Sequence, residues 1–290
     1  MLYYKKQKLT DKNRCKGQYM SNKRKIREEA RKLNPMDDLL FRKMSEDRAF
    51  CEEILRVILS DPDLAVLECT PQYDATNLQG RSAAFDARCI LGSGKQVIIE
   101  VQRADDDDHQ KRVRYNSALL TTNITDPGRK FQDVPNVCAV FISRFDIFKG
   151  GLPLYHVDRV IRENGKTVDN GFEEVYVNAK IRDGSEVSEL MEVFVEDDAY
   201  NDKFPVTSSI KRRFKETEEG QGIMCEIIEK LCSEAKAEGW AEGQAKSRAH
   251  INKLNAMLID AGRYDDLKRS TTDANYQTQL IHELLPEEMT

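Results

Sequence analysis

The chain has 290 residues, 40% hydrophobic and 33% charged, enough for one large domain with attachments or for two small ones. There is no run of about 18 apolar residues, so no transmembrane helix is expected. The basic start lacks the apolar segment of a secretory signal. Seven cysteines, an odd number with no CxxC pair, are expected to be reduced thiols in a cytoplasmic protein, with structural zinc the weaker alternative. The net charge of −5 is unevenly distributed. Residues 1–35 hold twelve Lys or Arg and three Asp or Glu, a net of +9, which leaves −14 on the rest. A basic arm on an acidic body suits contact with nucleic-acid phosphates, or is simply a solvated leader.

Residues 1–34 show little apolar periodicity and are expected to be a disordered arm with a short helix near Lys23 to Leu33. From Asp37 to Leu59 the apolar residues recur at helical spacing, with a break around Ser45 to Asp47. Asp61-Pro62-Asp63 stops that run. Strands are expected over Leu64–Tyr73, Ser82–Leu91 and Lys95–Arg103, the last two joined as a meander by a short Gly-containing turn. In the third strand Glu100 and Gln102 share one face, while Val97, Ile99 and Val101 take the other. Asp105 to Asp108 precede a helix over His109–Ile124, where acidic residues suit the positive end of the helix dipole. Arg112, Tyr115 and Leu119 fall on one stripe of that helix. Val137 to Phe145 reads as a strand buried on both faces.

Beyond Gly150–Gly151 two more strands are expected, at Tyr155–Ile161 and Glu174–Ala179. Helices follow over Ser185–Phe194, Val206–Thr217, Gln221–Ala261 and Asp273–Leu285. Gly239 and Gly243, four apart, either permit close helix contact or weaken an exposed helix. Trp240 is expected to anchor a contact there. The organisation expected is an arm over 1–34, a core over 35–218 and a helical C-terminal region over 219–290.

Asp86 and Glu100 on neighbouring strands, with Gln102 beside them, form a plausible site for a hard divalent cation such as Mg²⁺. On spacing alone, ordinary strand carboxylates are the alternative. The four histidines, His109, His156, His250 and His282, have no metal-ligand spacing and suit core or surface roles. No GxxxxGK[ST] phosphate loop and no GxSxG elbow is present.

The α-β-β-β-α-β order with acidic residues on strands two and three resembles the core of PD-(D/E)xK nucleases. More specifically, the chain resembles the PD-(D/E)xK nuclease family transposases, the recombination-promoting nucleases. The motifs that carry this are Asp38-Leu39-Leu40-Phe41 on the first helix, Asp86, the IIEVQ segment with Glu100 and Gln102, and Arg112-x-x-Tyr115. The resemblance runs over residues 35–285 and is diffuse beyond 205.

It implies an α/β, restriction-endonuclease-like αβββαβ core with a central mixed four-stranded sheet and a helical C-terminal tail. It further implies a Mg²⁺-dependent endodeoxyribonuclease linked to recombination or mobile DNA. Asp86 and Glu100 would be the metal ligands and Gln102 would place the attacking water. Asp38, Arg112 and Tyr115 would be auxiliary. Gln102 stands where the superfamily has Lys, and it cannot act as a cation. The alternatives are a catalytically inactive module that binds DNA or protein, with the C-terminal helices forming a homo-oligomer, and a DNA-binding regulator that uses only the arm.

Overall fold

The computed structural model describes residues 24–106 and 108–285. The basic arm lies outside it as far as residue 23, while residues 24–32 form helix α1. Two compact units divide between Cys225 and Glu226.

The first unit is built on a six-stranded mixed sheet in the order β1-β2-β3-β4-β6-β5. The strands are β1 (Val66–Ala75), β2 (Ala83–Leu91), β3 (Gln96–Gln102), β4 (Val137–Ser143), β5 (Leu154–Val157) and β6 (Phe172–Asn178). The first three are antiparallel neighbours, β4 runs parallel to β3, and β6 runs parallel to β4. This corrects the expected four-stranded sheet: β1 to β4 form a mixed quartet, and the β5–β6 pair continues it past β4. The β4 strand is central for this reason, and its seven residues are all buried. The β2–β3 turn needs Gly94, whose φ is +82°.

Helices α2 (Asp38–Met44) and α3 (Arg48–Ile58) are separated at the expected break. Asp47 caps α3 by accepting from the Ala49 N–H. The strand register sorts side chains to two faces. Ile98, Val137, Ala139, Phe141 and Tyr176 pack under α4 (His109–Ile124), with its Val113, Leu119 and Leu120. Val97, Ile99 and Cys89 lie on the opposite face. Phe50 of α3 stacks on Phe194 of α5 (Glu186–Val195), with Phe41 of α2 beside both.

Helix α6 (Pro205–Glu216) begins without a cap of its own at Phe204. Glu53 of α3 fills that role. Its two carboxylate oxygens accept from Val206 N–H at 3.0 Å and Thr207 N–H at 2.7 Å.

Helix α7 runs Glu218–Asp260. In the second unit Leu254 and Leu258 pack with Leu280 and Leu285, the first of these on α9 (Ala274–Leu284). A short α8 (Tyr264–Ser270), not foreseen from the sequence, lies between. Trp240 is 71% exposed, which corrects its expected anchoring role. A Cβ at Gly239 or Gly243 would meet nothing within 4 Å. No helix among the described residues is long and apolar enough to cross a membrane.

Candidate functional site

The hairpin β2–β3 positions the acidic pair. The ladder runs from Ile90↔Gln96 to Ala87↔Ile99. Beyond Ala87 a side chain takes over, and Asp86 Oδ2 accepts from the Val101 N–H at 3.0 Å. The chain changes face here, because Phe85 packs with Ile98 under α4 while Ala87 pairs with Ile99 on the other side. Across from Asp86 on β1, between the pairs Pro71↔Ala87 and Tyr73↔Phe85, Gln72 has φ +49°. A non-glycine residue in that region marks a kink in the strand.

Asp86 is 8% exposed, and so is Glu100. The second oxygen of Asp86 accepts from Arg42 Nε at 3.1 Å. Burial raises the Asp86 carboxyl above its usual range; Asp38 adds to the rise, while the Val101 N–H and Arg42 oppose it. Glu100 projects to the α4 side, where Oε1 accepts from Asn116 Nδ2 at 2.5 Å. Its Oε2 stands 4.0 Å from Arg112 Nε. Burial pushes the Glu100 carboxyl up to about 7; it outweighs the opposition of Asn116 and Arg112, and Asp86 and Asp38 add smaller upward pushes.

Asp38 is exposed in the first turn of α2, and its charge is felt at both buried carboxylates. Gln102 is engaged at both ends of its amide. Oε1 accepts from Arg112 at 2.9 Å, and Nε2 donates to the Ala104 carbonyl at 3.0 Å. Tyr115 uses its hydroxyl on the β1–β2 loop, donating to the Arg81 carbonyl and accepting from Asn77 Nδ2 at 3.1 Å.

An open cleft of about 650 Å³ lies beside the pair, between the β1–β2 loop and the start of α4. Arg42, Arg81, Lys111 and Arg112 line it, with Tyr115, Asn116 and one acid, Asp108. Asp108 is the N-cap of α4, its Oδ1 accepting from the Lys111 N–H at 3.0 Å. His109 packs between Phe141 and Phe145, with ring centroids 5.4 and 4.9 Å away.

A scan against family models, a search of curated proteins and a search of solved structures each return no match.

The structure brings Glu100, Gln102 and Arg112 into one connected set, which Asp86 adjoins through the Val101 N–H and its charge on Glu100. Asp38 joins through charge, and Tyr115 holds the loop at the cleft rim. Sequence reasoning missed Arg42 and Asn116, the residues that bond the two carboxylates. Both left a signal: Arg42 lies one turn after Asp38, and Asn116 interrupts the apolar stripe of Val113 and Leu120. Among the described residues, one group of three possible metal-ligating side chains brings its ligand atoms within 4.8 Å of one another. It is Cys51, Cys69 and Cys89, and no carboxylate belongs to it.

Proposed function

We propose that the chain is a Mg²⁺-dependent endodeoxyribonuclease of the PD-(D/E)xK type, akin to the transposase-associated family, with a restriction-endonuclease-like core in strands β1 to β4. The observation that carries this is the pair of buried carboxylates, Asp86 and Glu100, beside a cleft lined by four cationic side chains. Such a cleft suits a phosphodiester backbone, and DNA binding in it would weaken as salt rises.

A hard cation fits the donor set in kind. Two carboxylates raised by burial and by neighbouring acids, Asp38 at both and Asp86 at Glu100, are relieved by a divalent ion, and Mg²⁺ takes one or two carboxylates with several waters. Asp86 and Glu100 would hold it, with Arg42 yielding at Asp86. The bound ion supplies Lewis acidity toward the phosphate and lowers the pKa of water. The chain's own groups do the rest. Arg112 holds a phosphate oxygen, Arg42 and Lys111 align the strand, and Asn116 keeps the Glu100 carboxylate in place. Gln102 acts through Arg112 as a positioning residue, because its side-chain oxygen is already bonded to that guanidinium. This replaces the water-placing role expected from the sequence.

Supercoiled plasmid tests the reading. Wild type should nick it with Mg²⁺ and not with chelator, and Asp86→Asn and Glu100→Gln should nick at least about 100-fold more slowly. Equal nicking by all three proteins would overturn the site.

One observation favours the inactive binding module. The Arg42–Asp86 ion pair already neutralises one carboxylate. On that reading plasmid is bound but stays supercoiled under every condition.

A further inference from the structure

On the sheet face opposite α4, three sulfurs converge from three elements. Cys51 comes from α3, Cys69 from β1 and Cys89 from β2, the last two as a directly opposed cross-strand pair. The Cys51 and Cys69 sulfurs are 3.1 Å apart, and the Cys89 thiol donates to Cys69 at 3.5 Å. All three Sγ atoms lie within 4.8 Å of one another. Cys51 and Cys89 are buried, while Cys69 is half-buried.

We propose that Cys51, Cys69 and Cys89 form a three-thiolate site for a soft d¹⁰ cation, with Zn²⁺ as the ion to test. Thiolates around zinc at ~2.3 Å stand ~3.8 Å apart, so the 3.1 Å and 3.5 Å sulfur pairs need spread by only about 0.7 and 0.3 Å. Soft sulfur ligands select such ions and reject Mg²⁺, so this centre is chemically distinct from the carboxylate pair on the other face. A disulfide would use two sulfurs and require an oxidant; three mutually close sulfurs are what a three-ligand centre uses. With three protein sulfurs bound, zinc's fourth position is left to water.

The cluster is assembled before any ion binds, its sulfurs already in contact. Binding from the reduced thiols is Zn²⁺ + 3 Cys–SH → Zn(S–Cys)₃⁻ + 3 H⁺, with the protons released to solvent. The ion would clamp α3 to the β1–β2 hairpin, three residues along β2 from Asp86.

The test uses full-length protein, reduced and stripped with chelator, then given one equivalent of Zn²⁺. One zinc per chain should survive dialysis, and three of the seven cysteines should become protected from alkylation, identified as Cys51, Cys69 and Cys89 by mass spectrometry. Cys69→Ser should raise the zinc Kd at least about tenfold, with Cys138→Ser as the control that retains it. The alkylation pattern needs only wild type, so a variant that fails to fold does not decide the matter. No retained zinc, zinc retained equally by Cys69→Ser, or unchanged alkylation at the three sites would each overturn the proposal. So would a Cys51–Cys69 disulfide in protein purified without reductant whose reduced form takes up no zinc.

Discussion

Arg112 of α4 donates to the side-chain oxygen of Gln102 on β3 at 2.9 Å. An arginine has only donors to offer, so the contact fixes which end of the amide faces it. The guanidinium also stands 4.0 Å from Glu100, which places a cation beside the acid. In the proposed nuclease, the positive charge that the superfamily draws from a strand lysine comes here from a helix arginine, and the strand supplies its anchor.

This arrangement predicts an unusual mutational pattern. Arg112→Ala should slow plasmid nicking by about 100-fold. Gln102→Lys should not raise activity above wild type, because the new ammonium would face Arg112. The double variant should recover part of what Arg112→Ala loses. Single-turnover rates on plasmid check this, and a gain in Gln102→Lys alone would contradict it.

Glu100 gives a pH dependence with a definite sign. Its carboxyl rises from 4.5 to about 7 on folding. Between those values the native chain binds more protons than the unfolded one. The stability contribution is therefore complete below pH 4.5 and is lost as pH rises through about 7. Glu100→Gln should flatten the profile and be more stable than wild type at pH 8, by on the order of 3 kcal/mol at most. Urea unfolding at pH 5 and pH 8 measures both. Under the metal reading, Mg²⁺ should stabilise wild type at pH 8 and leave Glu100→Gln unchanged.

The cap that α3 gives to α6 is separable from the chemistry. Glu53→Ala leaves the Val206 and Thr207 N–H groups without their acceptor and should cost about 1–2 kcal/mol. Urea midpoints should fall with little change in slope. No shift would mean that water replaces the carboxylate at no cost.

Glycines of α7 divide into two kinds. A Cβ on Gly220 would lie 2.1 Å from the Arg213 carbonyl oxygen, against the end of α6, so Gly220→Ala should destabilise by about 1–3 kcal/mol or more. Gly239 and Gly243 face open space, so Ala there should stabilise the helix by up to about 1 kcal/mol each. Sedimentation of the Gly239→Ala/Gly243→Ala variant also tests the homo-oligomer expected through these helices. A fall in mass would mean that the glycines meet a second copy.

Much of this architecture has local causes and was readable. Alternation in IIEVQ put Glu100 and Gln102 on one face, and the register agrees. The all-apolar run from Val137 foretold a strand buried on both sides. The sheet's extension was not readable, because the parallel pairing of β4 with β6 joins segments separated by a long connection and leaves no local pattern. Cys51, Cys69 and Cys89 are separated by 18 and 20 residues in sequence and meet only through strand register and the seat of α3. The bond from Asp86 to Val101 depends on a face change that period-two reading does not contain.

That bond gives the cleft a built-in reporter. The Val101 amide hydrogen is held by a side chain whose charge belongs to the candidate site. Protonating Asp86, or drawing it toward a cation, slackens the hold. Deuterium uptake at this one backbone position therefore tracks the electrostatic state of the cleft, and it does so whether or not a phosphodiester is ever cut.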